Sequence, residues 1–196
     1  MAGVLFVGCA SPPPAAPPSP LEPVGVRALS LSDGTGPERC FNARDDNGNG
    51  LFDEGCGVEQ SEIAFFLAWE DPTIDFDLHV GGPSGEVARV GTRTQDGLAK
   101  LNECPDEGQA CRSRTFESVE WDGSERVAGR YTVRVRLEDG AGSPSPRVAF
   151  LGIKLGGLAR SYELTFPEGQ REWVDEFDEP RGAAAPPAPR PVEHSE

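Results

Sequence analysis

The strongest constraint on the fold is a two-residue period. In "TIDFDLHVGG" (residues 73–82), Ile74, Phe76, Leu78 and Val80 alternate with Asp75, Asp77 and His79. In "GRYTVRVRLEDG" (residues 129–140), Tyr131, Val133, Val135 and Leu137 alternate with Thr132, Arg134 and Arg136. Alternate residues point to opposite faces of a strand, so each stretch makes a half-buried strand with one apolar face. No stretch sustains the 3.6-residue period of a helix. Further strands are expected at Glu62–Trp69, Glu86–Val90, Arg114–Glu120, Arg147–Leu155, Leu158–Phe166 and Glu172–Phe177, with Gly156-Gly157 as a two-residue turn. Seven or eight short strands separated by turn signals predict an all-β, antiparallel sandwich over residues 59–178.

The large apolar residues concentrate between Ile63 and Phe177, so the core must form there. Residues 10–37, with "SPPPAAPPSP", read as a Pro/Ala-rich tether, and residues 179–196 as a disordered tail. The net charge of −15 excludes the basic face that a nucleic-acid partner requires.

The chain opens with "MAGVLFVGCASP", an apolar run too short to span a bilayer, followed by Gly8-Cys9. This resembles the end of a bacterial lipoprotein signal peptide, with residues 1–9 as its remnant, although Phe6 stands where Leu is usual and the basic n-region is missing. The resemblance implies that Cys9 is lipidated and anchors the chain to a membrane. Ala10 rather than Asp at the next position implies the outer membrane. Five cysteines leave one over if the others pair, and Cys9 is the natural odd one. The other four allow three connectivities. Proximity favours Cys40–Cys56 and Cys104–Cys111, which implies an oxidising compartment such as the periplasm or cell surface.

Residues 38–58 carry the one local constellation with metal chemistry. Counted from Asp45, Asn47 falls at position three, Asn49 at five, Gly50 at six, Leu51 at seven and Asp53 at nine. A hard cation such as Ca²⁺ needs six to eight oxygens, and alternating side chains plus the Leu51 carbonyl supply several. Position twelve, a bidentate Glu in an EF-hand, is Cys56, so Glu54 is the substitute ligand and the loop is not an EF-hand. It resembles the short calcium loops of thrombospondin type 3 repeats and dockerins. It is most similar to the Cys-flanked metal-binding motif of many bacterial surface proteins, carried here by Glu38, Cys40, Asn42, Asp45, Asp46, Asn47, Asn49, Gly50, Asp53, Glu54 and Cys56. The resemblance implies a structural Ca²⁺ site. The alternative is a disulfide-pinned polar connector with no ion.

"WEDPTIDFDLHVGGPSGE" resembles a stretch of bacterial extracellular sandwich domains of the YfaP-like and pre-peptidase-like groups, and "VEWDGSERVAGRYTVRV" resembles the pattern of Ig-like bacterial modules; together they imply an Ig-like sandwich used as a non-catalytic accessory module. Asp75, Asp77 and His79 are a secondary polar site that would suit Zn²⁺ better than Ca²⁺. Same-face residues lie ~6.5–7 Å apart along a strand, however, so all three cannot reach one ion. A solvated face is the simpler reading. No Gly-x-Ser-x-Gly, phosphate loop or His-Glu-x-x-His occurs. The expectation is a non-enzymatic envelope protein whose partner is another envelope protein or a polysaccharide. Exposed, coplanar Trp69, Trp121 and Trp173 would instead indicate a carbohydrate-binding module, and a carboxylate-lined pocket around His79 a small hydrolase.

Overall fold

The computed structural model describes residues 23–30, 36–104, 115–123, 127–139 and 146–179. Cys9, Cys111, most of the expected tether and residues 180–196 lie outside these.

Nine strands form two antiparallel sheets, and no helix occurs among the described residues. They are β1 (Gly25–Leu29), β2 (Ile63–Ala68), β3 (Asp75–Gly81), β4 (Leu98–Asn102), β5 (Phe116–Trp121), β6 (Gly129–Asp139), β7 (Arg147–Leu155), β8 (Leu158–Phe166) and β9 (Glu172–Glu179). The first sheet runs β1-β8-β7-β2-β5-β4 and the second β3-β6-β9. The two make the antiparallel β-sandwich that the period-two pattern predicts. Its core interleaves Phe76, Leu78, Val80, Tyr131, Val133 and Val135 of the smaller sheet with Ile63, Phe65, Leu67, Val119, Leu151 and Phe166 of the larger. These are the inward positions of the alternating stretches, and facing apolar sheet surfaces bury each other.

The β7–β8 hairpin closes at Leu155↔Leu158, which leaves Gly156 and Gly157 as its two turn residues. Gly156 sits at φ +60°, a conformation glycine adopts without steric cost.

Two elements differ from the sequence expectation. Strand β1 falls inside the expected tether, where Gly25–Leu29 pairs with Thr165–Ser161 of β8. It is an edge strand with residues 25–28 exposed, so it carries no apolar alternation to read. Conversely, Glu86–Val90 forms no strand. It makes only isolated bridges, at Val87 to Gly81, Arg89 to Thr92 and Val90 to Lys100, while β4 at Leu98–Asn102 takes the edge position instead.

Every residue of β2 is buried, although a sandwich strand ordinarily turns one face to solvent. Ile63, Phe65 and Leu67 face the other sheet, and Ala64, Phe66 and Ala68 lie in a second apolar cluster with Ala43, Phe52, Val58 and Phe116. The 38–58 segment therefore packs on the outer face of the larger sheet.

Candidate functional site

The docked segment is closed by the Cys40–Cys56 disulfide, with Cα atoms 5.4 Å apart. It is anchored from inside by Phe52, fully buried, whose ring lies 5.4 Å from that of Phe66. Phe41 meets Phe116 edge-on at 5.4 Å. Gly152 of β7 permits the approach. A Cβ there would lie 2.8 Å from the Ala43 carbonyl oxygen and 2.8 Å from the Phe52 ring.

Above this apolar foot the polar residues curl the chain. Asp45, only 3 % exposed, accepts hydrogen bonds from the amides of Gly48 (2.7 Å), Asn49 (3.1 Å) and Gly50 (2.8 Å). Asn47 Oδ1 accepts from the Asn49 amide at 3.0 Å, and Asn49 Oδ1 from the Leu51 amide at 2.8 Å. These are Asx turns, in which a short polar side chain bonds the backbone two residues on. The Nδ2 groups of Asn47 and Asn49 both donate to Glu54 Oε1, the latter at 2.7 Å. Positions three, five and ten of the loop thus meet at one point. Glu54 Oε2 is buried and has no hydrogen-bond partner. Burial raises the Glu54 carboxyl, but hydrogen bonds from Asn47, its own backbone and Asn49 outweigh it and hold the group below its ordinary value.

Asp53 plays a different part. It is fully buried and turns back to accept from the amides of Asn42 (2.9 Å) and Ala43 (3.2 Å). Burial pushes its carboxyl up to about 6 against those bonds. Glu38 spans the base of the loop and accepts from the amides of Asp53 (3.0 Å) and Asp46 (3.2 Å). Burial, together with the charges of Glu54 and Asp46, pushes it up to about 7 despite those bonds. Position nine is therefore a brace. The residues whose side chains gather are Asp45, Asn47, Asn49 and Glu54, beside the Leu51 backbone. Their donor set, with a buried carboxylate oxygen lacking a proton donor, fits a hard cation.

Asp75, Asp77 and His79 share the half-buried face of β3, as the alternation requires, but do not form a common site. His79 Nε2 lies 3.7 Å from Asp77 Oδ2. Asp77 belongs to a cluster that sequence reading missed. One oxygen each of Asp77, Glu103 and Glu117 lie within 4.8 Å of one another. The positive charge for these carboxylates comes from within the chain, because Lys100 Nζ is 2.7 Å from Glu103 Oε1 and 3.0 Å from Glu117 Oε2. Glu117 also accepts from the amide of Leu78 at 2.6 Å, which ties the edge of β3 to the opposite sheet. Burial pushes the Glu117 carboxyl up, opposed by the Lys100 ammonium and the Leu78 amide. In Asp77 the hydrogen bond to His79, with Lys100 and Arg136 nearby, overcomes burial and holds the carboxyl below its ordinary value. The available signal was Glu117 itself, an acid at an inward position beside Val119.

Cys104 is disulfide-bonded. The three tryptophans do not form a platform. Trp69 is 3 % exposed and donates Nε1–H to the Ile74 carbonyl, while Trp121 and Trp173 pack against the core. His79 does line a groove, but with Glu103 as its single acidic neighbour there. Comparison with protein-family models, with curated proteins and with solved structures gave no match to this chain.

Proposed function

We propose that the chain is a non-catalytic cell-envelope lipoprotein, anchored through Cys9, whose sandwich is a binding or structural module. Its 38–58 loop holds a structural Ca²⁺. The observation that carries the metal reading is a loop curled about Asp45, in which Asn47 and Asn49 meet Glu54 Oε1 while the buried Glu54 Oε2 has no hydrogen-bond partner. Asp45, Asn47, Asn49 and Glu54 would supply side-chain oxygens and Leu51 its carbonyl. An amide oxygen has two lone pairs, so one that accepts a backbone N–H can still face an ion. The ion would help to neutralise the loop's carboxylates.

With few formal charges among the ligands, affinity belongs in the ~10⁻⁴–10⁻³ M range of extracellular modules. Calorimetry on the full chain tests this. Saturable binding that is lost in Glu54→Gln supports the site. No heat and no rise in melting temperature in millimolar Ca²⁺ would overturn it. The anchor is tested separately by palmitate labelling, which Cys9→Ala should abolish.

A further inference from the structure

A groove of about 660 Å³ opens where β3, β4 and β6 meet the irregular 82–93 segment. That volume lies in the range of small-ligand sites. Its lining runs against the character of the chain. The net charge is −15, yet among the described residues the ionisable side chains lining this groove are Arg89, Arg134, Lys100, His79 and one acid, Glu103. Glu103 is already held by Lys100 at 2.7 Å, and His79 faces Asp77 at 3.7 Å. Among the described residues, Arg89 makes no ion pair and Arg134 makes only one long, exposed pair, so their guanidinium groups are the cations of this lining most open to a ligand. Arg89 is exposed, and Arg134, with its side chain 51 % exposed, reaches Glu172 only at 3.5 Å. Beside them Val87 and Val90 stand 42 % and 44 % exposed, an apolar wall along the groove. Among the described residues no aromatic ring lines the groove, so they offer a neutral sugar no stacking surface.

A guanidinium presents paired donors that match the two oxygens of a carboxylate, and such charge-assisted pairs are strong where solvent is partly excluded. We infer that this groove binds a carboxylate-bearing ligand, its carboxylate on Arg89 and Arg134 and its carbon skeleton on Val87 and Val90. The inference is independent of the calcium reading, because the groove and the loop share no residue.

The test is calorimetry on the full chain in buffer without added calcium. Two acids are titrated, glutarate and trigalacturonate, against neutral counterparts, glutaramide and the methyl ester of trigalacturonate. At least one acid is expected to bind saturably with Kd below ~1 mM, and its neutral counterpart to show no binding. Glutarate binding points to a small organic acid and trigalacturonate binding to an acidic saccharide. Arg89→Gln and Arg134→Gln should each weaken binding about tenfold or more, with Arg27→Gln as an unchanged control. Both residues are exposed, so thermal melts of the variants should match the parent. The proposal fails if neither acid gives a saturable signal up to ~10 mM, if the neutral counterparts bind equally, or if both variants bind as the parent does.

Discussion

The molecule gathers carboxylates in two places and treats them in opposite ways. In the 38–58 loop, Glu38, Asp45, Asp53 and Glu54 come from one stretch of chain and are met by backbone amides and asparagine side chains. At the open edge of the sandwich, Asp77, Glu103 and Glu117 come from separate elements and are met by the Lys100 ammonium. Among the described residues the first cluster makes no ion pair, whereas the second contains its own cation. On the calcium reading proposed above, an external ion would act at the loop, while Lys100 already meets the edge cluster.

Removing that internal cation is expected to have the largest effect. Lys100→Met leaves two or three carboxylates facing one another in a site where Lys100 is 7 % and Glu117 1 % exposed. Breaking a buried pair from one side typically costs about 3–5 kcal/mol. Urea unfolding at pH 8 should show a loss of that size, and a smaller one at pH 5, where the carboxyls can protonate. The variant also tests the comparison itself. With lysine gone the edge cluster resembles the loop, so millimolar divalent cation should recover part of the lost stability. Loss under ~1 kcal/mol would mean that the edge cluster is not held by its ammonium.

The same contrast explains what could be read from sequence. The closure of the loop was legible because its polar side chains, its glycine and its cysteines are near neighbours in sequence. Lys100 and Glu117 are brought together by the β4–β5 pairing, in which Lys100 registers with Val119. No local pattern encodes that register. Strand β1 escaped notice because an exposed edge strand needs no apolar face. The false strand at Glu86–Val90 misled because Val87 and Val90 look like core residues but line a groove. Position alone put Asp53 among the candidate ligands. Only the fold shows its carboxylate turned toward Asn42 and Ala43.

Glu120 sharpens the comparison within one strand. Three residues from Glu117 on β5, and so on the opposite face, it is 1 % exposed, and its Oε2 has no hydrogen-bond partner. Burial pushes its carboxyl from 4.5 to about 7, with Ser118 and Lys154 opposing weakly. A carboxyl whose folded value is raised stabilises the fold below its unfolded value, and that contribution is lost as pH rises through the folded one. The loss therefore falls between about pH 4.5 and 7. It amounts to about 3 kcal/mol for a shift of this size. Glu120→Gln should match the parent near pH 5 and exceed it by about 3 kcal/mol at pH 8. Parallel stability curves for the two proteins across that range would show that Glu120 finds a cation after all.

The smallest expected effect asks whether the loop owes its order to itself or to the sheet beneath it. Gly152→Ala places a methyl 2.8 Å from the Ala43 carbonyl and from the buried Phe52 ring, while the Cys40–Cys56 bond is untouched. The Ala43 amide is held by Asp53, so its backbone yields poorly, and overpacking of this kind costs about 1–3 kcal/mol. The ligand set lies above the contact and is curled by Asp45 and the two asparagines. Calorimetry should therefore find Ca²⁺ affinity changed by less than about threefold even as the melting temperature falls, because the variant leaves the ligand-bearing turns and their covalent closure in place. A parallel collapse of affinity and stability would mean that the sheet, through Phe52, shapes the ligand turns. The disulfide would then be a tether for the loop rather than the source of its curvature.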